Sequence, residues 1–271
     1  MPLPRPAADL PPDRSADLAL ALALADEADA LTLSRFRAVD LRVETKPDAT
    51  PVSDADRAVE AALRARLAGE RPGDAVLGEE EGLSGSAARR WVVDPVDGTK
   101  NFVRGVPVWA TLLALEVAGE VMIGVVSAPA LGRRWWAARG GGAYLDAVWG
   151  SRRRLAVSGV GALGDAFLSY SSLSGWAERG RRGGFEALAG RVWRTRAFGD
   201  FYSHVLVAEG AVDLSCEPAV SHWDLAALQV IVEEAGGRFT DLAGNRGPDG
   251  GSVLCSNGPL HEEALALLGG R

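Results

Sequence analysis

The chain is poor in the residues that announce a soft-metal or redox site. Its 271 residues include two cysteines, Cys216 and Cys255, far apart and in no CxxC spacing. Such thiols read as small buried side chains in a reducing compartment, not as a disulfide framework. The three histidines, His204, His222 and His261, show neither HxxxH nor HExxH spacing, so zinc and haem are disfavoured. Long apolar runs are missing too. Leu18 to Ala25 is apolar, but eight residues bracketed by Asp17, Asp26, Glu27 and Asp29 cannot span a bilayer. The Pro-rich start, MPLPRPAADLPP, lacks the apolar core of a signal peptide; residues 1–13 are expected to be a loose tail and the protein cytoplasmic, without membrane contact. Nor is there a basic excess: 29 Lys+Arg against 36 Asp+Glu leaves −7. That sign argues against nucleic acid as a partner. A small anionic substrate is still compatible with it if metal ions supply local positive charge.

What remains is an ordinary globular composition, 47% hydrophobic and 24% charged, ample for a sizeable core. We expect one unit over residues 14–271, built of two packed halves of about 14–155 and 156–271. The Ala- and Leu-rich Asp13–Arg35 predicts a long helix, Val39–Glu44 a strand, and residues 54–69 a second helix capped by Ser53 or Asp54. Short strands follow at Ala75–Leu77 and Trp91–Val93, then antiparallel strands at Ala110–Val117, Val121–Ala128 and Arg134–Ala138, with a hairpin turn at Gly119-Glu120. The triplet Gly140-Gly141-Gly142 lacks nucleotide-loop spacing and reads as a turn. The second half alternates: strand 166–170, loop 171–184, strand 191–197, helix 200–209, strand 211–216, helix 222–235, strands 238–240 and 252–255, and a last helix 260–268. That order predicts a layered α/β protein.

Chemistry concentrates in Trp91-Val92-Val93-Asp94-Pro95-Val96-Asp97-Gly98-Thr99-Lys100-Asn101-Phe102. Pro95 cannot donate to a ladder and should end the strand just after Asp94. Asp94 and Asp97 then flank a turn at the start of a new helix, a place for metal ions and a phosphate. Two more acidic clusters sit at element ends, Glu79-Glu80-Glu81 and Asp224 in Ser221-His222-Trp223-Asp224. Taken singly, each has a plain alternative: a solvated loop, a turn cap, or the capping-box partner of Ser221. Should they converge, the ligands are all oxygen, which selects Mg²⁺ first and Mn²⁺ second.

The run Asp94-Pro95-Val96-Asp97-Gly98-Thr99 resembles the DPIDGT signature of the inositol monophosphatase family of Mg²⁺-dependent phosphatases. Gly78-Glu79-Glu80 is similar to that family's GEE element, Trp223-Asp224-Leu225-Ala226-Ala227 to its WDxAA element, and Glu233–Gly237 to its EAGG run. The resemblance covers the chain from about residue 15 and implies the αβαβα sugar-phosphatase fold, two or three bound Mg²⁺ ions, a small phosphorylated substrate and a homodimer. It further implies that Glu79, Asp94, Asp97, Asp224 and the carbonyl of Val96 hold metal. Glu79 and Thr99 would then activate the attacking water, Asp56 would act through Thr99 or a water, and Gly98, Thr99 and Lys100 would meet the phosphate.

Specificity should lie elsewhere, in Arg194-Thr195-Arg196-Ala197-Phe198-Gly199-Asp200-Phe201. Inositol-cleaving members usually carry Ser or Thr after this glycine. Here Asp200 stands there and, with Glu217, would suit a cationic alcohol; a helix cap is the plain alternative for Asp200. Together with DGTKNF and Gly132–Gly140, this is similar to the histidinol-phosphatase branch of the family, which implies L-histidinol phosphate as substrate. Arg194 and Arg196 alternate on one strand face and could approach the phosphate or the carboxyl-side edge of the substrate, or simply line a surface strand. The alternatives are an inositol-, sugar- or nucleotide-phosphate phosphatase and a non-catalytic metal- or phosphate-binding regulator. The presence of Glu79 and Thr99, dispensable for mere binding, counts against the regulator.

Overall fold

The computed structural model describes residues 12–47, 50–147 and 152–269. The tail expected at the start falls largely outside them.

Helix α1 (Pro12–Arg35) presents Leu18, Ala21, Leu24, Ala25 and Ala28 as one buried stripe. A hairpin, β1 (Val43–Thr45) and β2 (Pro51–Ser53), leads into α2 (Asp54–Glu70), which Ser53 caps by accepting from Ala55 N. The strand expected from Val39 begins only at Val43; residues 36–42 are turns and irregular backbone, with Arg37 left-handed. Next come β3 (Ala75–Gly78), β4 (Gly82–Ser84), β5 (Arg89–Asp97) and the short helix α3 (Thr99–Val103). Strands β6 (Ala110–Val117), β7 (Glu120–Ala128), β8 (Arg133–Ala138), β9 (Gly142–Ala147) and β10 (Arg153–Arg154) complete one eight-stranded sheet, in the order β10-β9-β8-β7-β6-β5-β3-β4. The β6–β7 turn sits one residue earlier than predicted, with Ala118 at φ 52° and Gly119 at φ 84°, the left-handed pair of a tight hairpin.

The second sheet has five strands in the order β12-β11-β13-β15-β14, from β11 (Phe167–Ser169), β12 (Arg194–Arg196), β13 (Leu214–Glu217), β14 (Arg238–Thr240) and β15 (Val253–Ser256). The loop expected over 171–184 instead holds α4 (Leu173–Glu178) and the start of α5 (Arg182–Ala189). Gly184 permits this: a Cβ there would lie 2.7 Å from Leu267 O, so α5 docks directly on α8 (His261–Leu268). Packing, not local propensity, makes that helix.

Five layers result. Helices α1 and α2 cover one face of the large sheet. The other face takes α7 (His222–Glu234), paired with α6 (Asp200–Ala208) between the two sheets. α7 is apolar nearly all round because it is buried nearly all round. Gly124 on β7 admits it closely, since a Cβ there would meet Ala227 O at 2.4 Å. The small sheet's outer face carries α4, α5 and α8. Cys216 and Cys255 are buried free thiols. Among the described residues no helix is long and apolar enough to cross a membrane.

Candidate active site

The prediction that Pro95 ends its strand is corrected by the structure: β5 continues to Asp97. Pro95 is tolerated because the parallel neighbour β3 has already stopped opposite Val93. On the other side, Asp94 pairs with Leu112 and Asp97 with Ala110, three steps against two, so β5 carries one extra residue. That bulge has a chemical result. In a regular strand residues three apart face opposite ways; one inserted residue turns both carboxylates to the same side. Asp94 Oδ1 accepts from Val96 N at 3.0 Å, and Thr111 Oγ1 donates to Pro95 O at 2.8 Å, fixing the bulge from both sides.

Carboxylate oxygens of Asp94, Asp97 and Asp224 lie within 4.8 Å of one another. Asp224 arrives from the first turn of α7, where its Oδ2 also accepts from Ser221 N at 2.7 Å. It is therefore both a capping-box partner and a member of the cluster. Burial, then the charges of Glu79, Asp97 and Asp224, hold the Asp94 carboxyl well above the usual range. Asp97 is raised likewise by burial and by Asp200 and Asp224. Asp224 is pushed up to about 7 by burial, with Glu79, Glu217 and Asp200 adding to it against the Ser221 bond. Among the described residues no Lys or Arg forms an ion pair with any of the three.

Glu79 stands beside this cluster and has taken a cation of its own. Lys46 Nζ donates to Glu79 Oε1 at 2.8 Å and to Glu80 Oε1 at 2.7 Å, from the polar loop between β1 and β2. Nothing in the sequence pattern singles out Lys46, although it and Lys100 are the chain's only lysines.

Asp56, on the first turn of α2, is buried. Its Oδ2 accepts from Ser53 N at 2.9 Å and its Oδ1 from Thr99 Oγ1 at 3.3 Å. Burial raises its carboxyl despite the bonds from Ser53. Thr99 Oγ1 also faces Val96 O at 2.9 Å, so its single proton is shared between two acceptors. Gly98 is left-handed at φ 83°, and a Cβ there would meet Val108 O at 3.0 Å and Asp200 Oδ2 at 3.3 Å. Only glycine lets the turn sit this close to the next group.

That next group is Asp200, whose φ of 47° is unusual for a residue with a side chain. Its N–H donates to Ser171 Oγ at 2.8 Å, and Ser171 Oγ donates in turn to Glu217 Oε1 at 2.7 Å. The adjacent Phe201 N–H donates to Asp97 Oδ2 at 2.7 Å, tying the start of α6 to the cluster. Asp200 is pushed up to about 6 by burial and then by Glu217, against Lys100 and His204. Beneath Glu217 lies His204 Nε2 at 3.2 Å, on a fully buried ring. Burial alone lowers this imidazole, but Cys255 and Glu217 outweigh it and push it up to about 10. His204 follows Asp200 by four residues on a predicted helix, a spacing that could have flagged it; Ser171, in an expected loop, gave no such signal.

Lys100 is exposed and acts on Asp200 by charge. Arg194 is the one predicted site residue the structure does not bring in. It lies on edge strand β12 with its guanidinium 4.9 Å from the centre of the Trp193 ring, and no hydrogen bond among the described residues joins it to the acidic groups.

A sequence model of the inositol monophosphatase family matches residues 13–269. The chain is 61% identical over 253 residues to a histidinol-phosphatase of Mycobacterium tuberculosis, covering 93% of this chain and 97% of that protein. It is 57% identical to a histidinol-phosphatase of Streptomyces coelicolor, covering 96% and 99%. Among solved structures, an IMPase of Thermotoga maritima superposes with a TM-score of 0.83 at 30% identity, over 93% of this chain and 96% of that one.

Proposed function

Because the chain belongs to the inositol monophosphatase family, we propose that it is a phosphomonoesterase that hydrolyses L-histidinol phosphate to L-histidinol and phosphate. The observation that carries the substrate is a second pair of acids, Asp200 and Glu217, bonded through Ser171 on the far side of Gly98 from the metal-type cluster. His204 balances one of these two charges from below, and a neutral polyol gains little from the carboxylate left over. An ammonium group offsets that remaining charge, and histidinol carries one.

The cluster fits divalent cations on its own terms. Three carboxylates are buried or half-buried together without a protein cation, which is costly unless an external charge joins them. Asp94, Asp97 and Asp224, with Glu79 and the carbonyl of Val96, would hold two or three Mg²⁺ ions, with Mn²⁺ as a substitute. Bound there, such ions supply Lewis acidity toward a phosphoryl group and its attacking water. The chain's own residues do the rest. The first-turn N–H groups of α3, at Thr99 and Lys100, have no helical acceptor and would take phosphate oxygens beside Gly98. Thr99 Oγ1 gives its proton to Asp56 or Val96 O, which leaves its lone pairs to orient water for attack in line with the leaving alcohol. Glu79 would orient the attacking water, with Lys46 fixing where its carboxylate stands. A homodimer is part of the same proposal, tested by the solution mass.

The deciding experiment compares phosphate release from L-histidinol phosphate and from inositol 1-phosphate, each with and without Mg²⁺. Release that needs Mg²⁺ and favours histidinol phosphate is expected. A rate advantage for inositol phosphate would defeat the cationic-substrate reading while leaving the phosphatase intact.

A further inference from the structure

Helix α2 sends two acids inward one turn apart, and the phosphatase reading uses only the first. Asp56 faces Thr99. Glu60, four residues on, has a fully buried side chain and touches no reacting group. Its carboxylate is instead aimed at backbone. Oε2 accepts from Glu80 N at 2.8 Å and Oε1 from Glu81 N at 3.1 Å, two successive N–H groups of the turn that follows Glu79. Gly78, on the other side of Glu79, lies hard against the same carboxylate: a Cβ there would fall 2.0 Å from Glu60 Oε1. Arg64 closes the arrangement, donating from Nε to Glu60 Oε1 at 2.8 Å and from Nη1 to Ser84 Oγ at 2.8 Å on the returning strand β4.

We propose that Glu60 is the positioning residue for Glu79: it fixes the backbone on both sides of Glu79 and so sets where that carboxylate stands relative to the Asp94–Asp97–Asp224 cluster. This rests on the metal-site reading above. The physical case is one of freedom removed. A turn of three consecutive glutamates, Glu79, Glu80 and Glu81, repels itself and has few anchors; Glu79 N bonds to Val93 O at 3.2 Å, and beyond it the ladder ends. Bringing another acid beneath it looks perverse as electrostatics. It succeeds because Glu60 meets donors, not the glutamate side chains, and because Arg64 balances its charge. Lys46 then restrains the Glu79 side chain from the other direction. Gly78 is needed for a steric reason, since any side chain there would expel the Glu60 carboxylate.

The test is metal binding measured without turnover. Glu60→Gln keeps the shape but offers the turn an amide that cannot accept from both N–H groups. Glu60→Asp keeps the charge for Arg64 but falls one methylene short. With Mn²⁺ as the probe, followed by electron paramagnetic resonance on substrate-free protein, both variants should bind about tenfold more weakly than wild type, the lower end for loss of a supporting contact. The Mg²⁺ concentration for half-maximal phosphate release should rise in parallel while the KM for substrate at saturating Mg²⁺ stays put. Wild-type Mn²⁺ affinity in either folded variant overturns the proposal, and so does a loss of affinity confined to KM. Should both variants fail to fold, hydrogen exchange on metal-free wild type decides. The amides of Glu80 and Glu81 should be protected, and free-loop exchange there overturns the proposal. Wild-type protein that binds no Mn²⁺ would instead defeat the metal-site reading itself.

Discussion

Two acids whose side chains are almost wholly covered live in opposite circumstances. Glu209, at the end of α6, accepts from Arg133 at 2.7 Å on both oxygens, from Trp135 Nε1 at 2.8 Å, and from Arg153. Asp94, more deeply buried still, accepts among the described residues only from the amide of Val96 and is surrounded by other acids. A chain that can compensate a buried charge so fully at one place, and leaves it uncompensated at another, separates structure from function by charge balance alone. Asp17 between Arg71 and Arg89, and Glu116 between Arg90 and His222, belong with Glu209. Asp97 and Asp224 belong with Asp94.

The sharpest way to break the contrast is to neutralise one acid of each kind. Asp94→Asn should cut the turnover number by about 10³-fold, roughly 4 kcal/mol of lost transition-state stabilisation. Its thermal midpoint without metal should hold or rise, because a buried repulsion is gone. Phosphate release at the wild-type rate would end the metal assignment. Glu209→Gln should do the reverse, costing about 3 kcal/mol in urea unfolding with activity per folded molecule retained. A Glu209→Gln protein as stable as wild type would show that full pairing there counts for little.

Metal should erase the difference. At a hundredfold excess over its dissociation constant, Mg²⁺ should stabilise the protein by about 2.7 kcal/mol. The pH dependence follows from the raised acids, Asp200 at about 6 and Asp224 at about 7. Their carboxyls hold protons more tightly folded than unfolded, so their contribution is complete below about pH 4. It is lost as pH climbs through 6 and 7, and metal-free protein should weaken over that window. Urea unfolding from pH 4.5 to 8 should show this fall without Mg²⁺ and a flatter profile with it; equal slopes would contradict the cluster's role. The smallest effect expected is that of Glu217→Gln, a KM for histidinol phosphate raised about tenfold, near 1.4 kcal/mol. The kcat/KM for inositol phosphate should not fall with it, and a matching fall would remove Glu217 from specificity.

How far this could be read from the sequence depends on range. Local signals held: the Ser53 cap, the β6–β7 hairpin, and the acids at element ends were visible because propensity and turn chemistry act within a few residues. Pro95 misled because the rule that it ends a strand assumes a neighbour on the side of its missing N–H, and β3 stops short of it. Gly140 and Gly141 are the turn expected of the glycine triplet, but Gly142 already starts β9, a strand no alternation announced. Helices α4 and α5 were hidden by glycines that look like breakers yet serve as contact points against Pro218 and α8. Lys46 on Glu79, and Glu60 under the same turn, join loops and helices tens of residues apart, and no spacing rule carries that far.

The left-handed backbone of Asp200 bears on anyone wishing to make this protein more robust. A non-glycine residue in that conformation gives up on the order of 1 kcal/mol, and Gly or Asn there is the obvious stabilising replacement. Those same exchanges delete the carboxylate 3.3 Å from where a Gly98 Cβ would lie, so, on the proposed reading of Asp200, a selection for heat resistance alone would drift toward a sturdier catalyst that prefers charged alcohols less.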